Sequence, residues 1–119
     1  MTDLEQPAAP VVIRLPAKID LISAERVGEQ LCSAFTLGAA IVIADLTSTL
    51  FCDSAGIRQF VLAHNYANAY GAQLRFVMPE RNVLRVLAMT GLDQFLSVYP
   101  SLDEALSAAP APGADTATG

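Results

Sequence analysis

Apolar and polar positions along the chain recur with two different periods, and the alternation predicts strands and helices in turn. Residues 11–15 are rich in β-branched side chains between two prolines, and 73–78 alternate polar and apolar at first. The segment 39–44 is apolar at every position, which is typical of a strand covered on both faces. A short final strand is predicted over 95–99. These segments are the expected strands of one sheet.

The segments between the strands have apolar residues at helical spacing, and a glycine follows each of the first three. The first predicted helix starts at residue 21 and has its C-cap at Gly38. The second covers about 54–70, and the third begins with Pro79 and closes at Gly91. The residues expected on the inner faces are Ala24, Val27, Leu31, Phe35, Ile57, Phe60, Val61, His64, Ala67, Val83, Val86, Leu87 and Thr90.

The order of these elements predicts a single small α/β domain, a mixed β-sheet of four to five strands flanked by about four helices. The domain is expected over 11–107, and the capping-box pattern of Ser101 to Glu104 starts its last helix. Residues 1–10 read as a flexible arm with a short strand near Leu4. The composition of 108–119 is typical of a disordered tail.

Charge and cysteine content exclude several classes of function. The 119 residues carry a net charge of −5 with only seven basic residues, scattered along the chain, which argues against binding nucleic acid. The sequence is 53% hydrophobic without an apolar run long enough for a bilayer span, so no membrane insertion is expected. The acidic N-terminus has no secretory pattern, which predicts a cytoplasmic location. Cys32 and Cys52 lack metal-site or redox spacing, and no metal or cofactor is expected.

The candidate site is the segment 45–56, Asp-Leu-Thr-Ser-Thr-Leu-Phe-Cys-Asp-Ser-Ala-Gly. It leads from a buried strand to a helix start, where backbone N–H groups favour negative charge. Asp53 or Ser54 could simply cap that helix, a contribution of about 1 kcal/mol, and Gly56 could allow tight packing. The hydroxyls of residues 47–49 stand beside the same helix start and suit an anion or the polar edge of a partner.

An enzymatic site is not predicted. Ser54 and His64 are ten helical positions apart, roughly 15 Å along the axis, and the Gly-x-Ser-x-Gly spacing is absent. Two opposing effects act on the thiol of Cys52, because Asp53 would raise its pKa while the helix N-terminus would lower it. The only histidine, His64, lies on the apolar face of its helix, where a hydrogen-bonded core histidine is the more common case.

Laid out in this way, the chain resembles a STAS domain, the module named for sulphate transporters and anti-sigma factor antagonists. The resemblance covers about 11–107. Its motifs are Leu-Pro-Ala-Lys-Ile-Asp at 15–20, the whole of 45–56, and a closing segment formed by 87–92 with 100–106. The anti-sigma factor antagonist branch is the nearest in length.

This resemblance implies a binding module that takes part in a partner switch. In that branch the unmodified domain binds an anti-sigma factor that is itself a serine kinase, and phosphorylation of a serine at the helix start breaks the complex. The family motif is commonly Asp-Ser-Ser-Gly or Asp-Ser-Thr-Gly, with the phosphate on the second hydroxyl residue. Ala55 stands at that position here, and Ser54 is the remaining candidate for phosphorylation. The residues implied in partner binding are Asp20, Thr47, Asp53, Ser54, Ala55 and Gly56.

Two other readings remain open. The first is a STAS subunit that docks on a transport ATPase or a stress-signalling scaffold without needing a phosphate, a reading that Ala55 favours. The second is a small α/β enzyme that uses Ser54 or Cys52, which lacks an evident base.

Overall fold

Strands and helices alternate through residues 9–108, the part of the chain that the computed structural model describes. The elements are β1 (Val11–Arg14), β2 (Lys18–Ile19), α1 (Leu21–Thr36), β3 (Ile41–Asp45), β4 (Phe51–Cys52), α2 (Ser54–Ala69), β5 (Gln73–Val77), α3 (Arg81–Thr90), a 3₁₀ turn (Leu92–Gln94), β6 (Ser97–Tyr99) and α4 (Leu102–Ser107). The expected arm, the strand near Leu4 and the tail lie outside the described residues, except for 9, 10 and 108.

Four strands form the main sheet in the order β1-β3-β5-β6, and β2 pairs with β4 in a separate two-stranded sheet. The predicted α/β class is confirmed, with a sheet of four strands and four flanking helices. Strand directions are less mixed than expected, since every pairing between the described strands is parallel. The sheet therefore gathers the carboxyl ends of its strands along one edge.

Helices cover both faces of the main sheet, which explains the apolar run in β3. On one face, Val42 and Ala44 belong to the large core shared with α1, α2 and α3. On the other face, Ile43 packs in a second cluster with Val77 and with Ala105 of α4. The alternation of side chains along β3 thus places apolar groups in both clusters.

Arg75 lies on the α4 side of the sheet and is only 2% exposed. Its guanidinium donates to the carbonyl of Ala105 at 2.7 Å and to the side-chain oxygen of Gln73 at 3.0 Å. These bonds tie the last helix to the centre of the sheet. The sequence pattern showed alternating polar and apolar residues at the start of β5 and did not predict that this arginine is buried beneath α4.

Three predicted details at the C-terminal half were wrong. Helix α3 begins at Arg81 with Glu80 as its N-cap, so Pro79 precedes the helix instead of starting it. Strand β6 begins two residues later than expected, and Phe95 is exposed. The hydroxyl of Ser101 accepts from the N–H of Glu104 as predicted, but the Glu104 carboxylate contacts that hydroxyl and not the backbone of Ser101.

Helix α3 also departs from its predicted inner face. Val83 and Leu87 are buried, whereas Val86 and Thr90 are exposed and line a groove against α2. The helix ends at Gly91 as expected, in the left-handed conformation (φ 79°) that favours glycine.

Candidate functional site

Two helix starts lie side by side because β2 and β4 pair in parallel. Ile19 is the strand partner of Cys52, and the next residue in each strand is the N-cap of a helix: Asp20 for α1 and Asp53 for α2. The backbone N–H of Asp53 donates to the carbonyl of Ile19 at 3.0 Å, which fixes the two segments together. We call the region around Asp20 and Asp53 the paired helix starts.

Each cap uses its own carboxylate to satisfy the first free N–H groups of its helix. Asp20 accepts from the N–H groups of Ile22 and Ser23, both at 3.1 Å. Asp53 accepts from Ala55 at 2.9 Å and from Gly56 at 3.3 Å. Because these donors are occupied, they are not open to a bound anion.

The electrostatics of Asp20 agree with its capping role. The hydrogen bond from the backbone of Ser23 lowers the pKa of the Asp20 carboxyl below its usual value, and Lys18, 3.8 Å away, acts in the same direction. The carboxylate is therefore ionised at neutral pH and places a fixed negative charge at the start of α1.

The three hydroxyl-bearing residues at 47–49 lie in different environments. Thr49 is buried and donates to the carbonyl of Pro16 at 2.8 Å, so it has a structural role. Thr47 is exposed and hydrogen-bonds through its N–H and hydroxyl to Asp45. Thr47 and Ser48 line a recess with Arg14, whereas Asp53 and Ser54 line the groove between α2 and α3. Thr47 and Ser54 thus line different recesses.

The three residues that begin α2 differ in accessibility. Ser54 is exposed, Ala55 is half-buried and packs against the core, and Gly56 is buried beneath the surface. Direct contact with a partner is thus available to Ser54 and partly to Ala55. Any contribution of Gly56 would be indirect, through the packing of the helix start.

Four large apolar side chains on the surface surround the paired helix starts. Leu21 and Ile22 form the first turn of α1, and Leu50 and Phe51 lead into and begin β4. The side chain of Ile22 is 89% exposed, so it does not contribute to the core of the monomer. This patch was not predicted, because apolar residues are expected in the core. The available signal was that Leu21 and Ile22 precede the helical repeat that starts at Ala24.

A groove of about 600 Å³ runs between α2 and α3, directly beside Ser54. Most of its surface is apolar. The lining residues are Cys52, Asp53, Ser54, Ile57, Arg58, Val61, Leu62, Val86, Thr90 and Leu92.

Burial decides the reactivity of Cys52. Removal of its thiol from water, together with the nearby charge of Asp53, raises the pKa of Cys52 to about 12. The thiol is therefore protonated at neutral pH, and the helix N-terminus does not activate it. Burial also raises the pKa of Cys32. Within residues 9–108, no group of three or more His, Cys, Asp or Glu side chains is placed to hold a metal ion.

The contacts of His64 are structural and do not suit a catalytic base. Its ring lies 4.6 Å from that of Phe95, centroid to centroid, and its Nε2 is 3.3 Å from the amide nitrogen of Asn68. The Nδ1 atom is buried without a hydrogen-bond partner among the described residues. The structure gives His64 no hydrogen bond to Ser54, consistent with the ten positions between them.

Stability is expected to fall at mildly acidic pH because of His64. Burial lowers the pKa of His64 below its ordinary value of 6.5. The unfolded chain therefore binds the proton more readily, and the contribution of neutral His64 is fully present above about pH 6.5 and is lost as the pH falls toward the folded-state pKa. Urea unfolding of wild type and His64→Leu at pH 7.5 and 5.5 measures this. Wild type should lose more stability than the variant, and equal losses would contradict the assignment.

In the described part of the chain, no helix combines the length and the apolar character needed to cross a membrane.

Comparison with known proteins agrees with this geometry. The family model of the STAS domain matches residues 1–105. An anti-sigma factor antagonist from Mycobacterium paratuberculosis superimposes with a TM-score of 0.70 at 21% identity, over 86% of this chain and 86% of that one. The anti-sigma factor antagonist SpoIIAA in its unphosphorylated form gives 0.68 at 23% identity, over 82% and 84% of the two chains. The phosphorylated form of SpoIIAA from Bacillus gives 0.61 at 23%, over 81% and 86%. The chain belongs to the STAS domain family and has the fold of its anti-sigma factor antagonists.

Proposed function

We propose that this protein is a cytoplasmic regulatory binding module that acts as an anti-sigma factor antagonist and binds an anti-sigma factor of the serine-kinase type. The observation that carries the proposal is the apolar patch at the paired helix starts. Leu21, Ile22, Leu50 and Phe51 are exposed there, next to the carboxylate of Asp20. Exposed apolar clusters rimmed by polar groups are typical of protein–protein interfaces.

The chemistry of the patch favours a protein partner. Complete burial of one large aliphatic side chain contributes about 1.5–3 kcal/mol, so two or three of these residues could dominate the affinity. Asp20, Asp53 and Ser54 add the polar contacts that fix orientation. We place Ala55 at the centre of this surface, Gly56 beneath it and Thr47 at its margin.

The position of Ala55 leads us to propose a constitutive binder instead of a phosphoswitch. SpoIIAA is known in phosphorylated and unphosphorylated forms. At the position that matches the usual acceptor, this chain has a methyl group, so the transfer of a phosphate has no oxygen to act on. Ser54 is exposed and remains the only hydroxyl in the first turn of α2. The binding role requires no catalytic group, and we propose that the protein is not an enzyme.

A second candidate is a STAS subunit that docks on a transport ATPase or a stress-signalling scaffold. Ala55 favours it, because such assemblies need no phosphate. The two candidates use the same surface and differ in the partner. The protein that copurifies stoichiometrically with the untagged chain distinguishes them.

The test of the partner surface compares two charge substitutions on α1. Ile22→Asp places a carboxylate in the apolar patch, while an acid in the first turn of a helix favours folding. Leu37→Asp introduces the same change beyond the other end of α1, at a leucine that is 86% exposed. We expect Ile22→Asp to weaken binding to a purified kinase-type anti-sigma factor by about tenfold or more in titration calorimetry. Leu37→Asp should bind like wild type.

The proposal is contradicted if Ile22→Asp binds the anti-sigma factor as tightly as wild type while its thermal unfolding is unchanged. It is also contradicted if wild type itself does not bind any kinase-type anti-sigma factor from the same genome.

A further inference from the structure

The groove between α2 and α3 combines an apolar floor with an apolar rim. Ile57, Val61 and Leu92 line its interior. On the rim, the side chain of Leu62 in α2 is about half exposed, and that of Val86 in α3 is about one-third exposed. The isolated domain thus leaves an apolar groove open to water.

The charge of the two helices is opposite to that of the rest of the protein. Helices α2 and α3 carry Arg58, Arg81 and Arg85 and contain no Asp or Glu, although the whole chain has a net charge of −5. Arg58 lines the groove itself, and so does Asp53, whose carboxylate caps α2. None of the three arginines forms an ion pair with another residue between 9 and 108.

The arginines of α3 are arranged in a way that an isolated helix does not favour. Arg81 and Arg85 are four positions apart, so their like charges lie on one face, and Met89 continues the same row. Met89 is 79% exposed. The row does not itself line the groove; it lies on the exposed face of α3, about 100° around the helix axis from Val86 and Thr90. A carboxylate-bearing partner would remove the repulsion between the two arginines.

The walls of the groove determine the form of its occupant. They consist mainly of side chains from α2 and α3, with Cys52 of β4 and Leu92 of the 3₁₀ turn also lining the groove. The backbone N–H groups of Ala55 and Gly56 are already bound to Asp53. The strand at the groove, β4, is only two residues long and offers an extended peptide little backbone to pair with. A helix satisfies its own backbone hydrogen bonds and brings apolar side chains at positions i, i+3, i+4 and i+7.

We infer that this groove binds an amphipathic helix of a protein partner, with its apolar face against Ile57, Val61 and Val86 and with Asp or Glu residues opposite Arg58 and Arg85. Nothing in this inference depends on the apolar patch at the paired helix starts, because Leu21, Ile22, Leu50 and Phe51 do not line the groove. The two surfaces share only the residues at the start of α2, Asp53 and Ser54.

Selection from a peptide display library tests the inference. The probe is a library of helix-forming peptides of about 20 residues, long enough to span about 30 Å, with leucine fixed at one face and the flanking positions randomised. We expect the selected peptides to be enriched in Asp and Glu on both flanks of the leucine face. Selection of basic or uncharged flanks, or recovery of no binder, would overturn the inference.

Two variants with matched controls locate the binding of a selected peptide. Arg58→Glu puts negative charge in the groove, and Met89→Asp puts it on the adjoining exposed face of α3. Each should weaken binding by about tenfold or more in fluorescence anisotropy. Arg26→Glu and Leu37→Asp make the same changes at exposed sites on or just beyond α1, and should have no effect. Equal loss in the controls, or no loss at the groove, would refute the assignment.

An anionic membrane is the alternative that the same arginines and apolar side chains could contact. Sedimentation with vesicles of phosphatidylglycerol and phosphatidylcholine measures it directly. We expect no binding at physiological salt, because an overall charge of −5 is repelled by an anionic surface. If the wild-type protein cosediments with the vesicles and Arg58→Glu abolishes this binding, then the ligand of the groove is a lipid surface and not a helical peptide.

Discussion

Replacement of Gly56 by alanine is expected to lower the free energy of unfolding by about 1–3 kcal/mol. A Cβ atom at this position would lie 2.5 Å from the Sγ of Cys52 and 2.7 Å from the Cγ2 of Ile19. Both neighbours are buried in the two-stranded sheet, so neither can move aside without displacing β2 or β4. Urea unfolding monitored by circular dichroism measures the change in stability.

Gly28 provides the matched control for this substitution. It is also buried within a helix, but its added Cβ would meet only the end of the Gln59 side chain, whose Oε1 lies 2.0 Å away and can rotate off. Since alanine is favoured over glycine in a helix interior by about 1 kcal/mol, Gly28→Ala should be neutral or stabilising. If Gly56→Ala is equally well tolerated, then α2 does not pack on the small sheet as closely as we describe.

The consequence of Gly56→Ala extends to the paired helix starts. The same contacts that exclude a methyl group hold α2 against β4, and β4 positions Asp53 beside Asp20. We therefore interpret the glycine of the signature motif as a packing residue that permits the surface, and not as part of its contact area.

The main elements of the fold were predictable because their signals extend over many residues. The apolar run at 39–44 correctly indicated a strand covered on both sides, and the helix predicted over about 54–70 is observed as Ser54–Ala69. Periodicity predicted neither β2 nor β4, since a two-residue strand has no measurable period, and only the resemblance of 15–20 to a family strand that ends in an Asp implied β2. Arg75 was missed for a related reason: its polarity suggests a surface position, whereas tertiary hydrogen bonds to α4 allow it to be buried.

The candidate site was located by the sequence only in part. The cap Asp53 was identified from residue type, whereas Asp20 was named only through the family resemblance, and the structure adds that strand pairing brings them together. That Thr47 and Ser54 line different recesses could not be predicted. A short loop between strands has no periodic pattern that indicates where its side chains point. The exposure of Ile22 and Val86 was missed for the opposite reason, since hydropathy alone cannot separate an interface residue from a core residue.

The substitution Ala55→Ser is expected to convert a domain that accepts no phosphate into one that accepts a single phosphate. Ala55 and Ser54 are adjacent in the first turn of α2, so their side chains point about 100° apart around the helix axis. A kinase that aligns its γ-phosphate with the usual position meets the methyl group of Ala55 in wild type, even though the Ser54 hydroxyl is exposed. Serine is only a few tenths of a kcal/mol less favourable than alanine in a helix, and Ala55 is half-buried, so the variant should fold normally.

Intact-mass spectrometry after incubation with a kinase-type anti-sigma factor and Mg-ATP decides the outcome. We expect wild type to keep its mass, Ala55→Ser to gain one phosphate, and the double variant Ser54→Ala/Ala55→Ser to gain it as well, since the acceptor is the introduced serine. The phosphorylated variant should also lose affinity for the anti-sigma factor, because a phosphate brings nearly two negative charges to an interface that must be desolvated. If wild type gains a phosphate that maps to Ser54, then Ser54 is the switch residue and the domain is regulated instead of constitutively active.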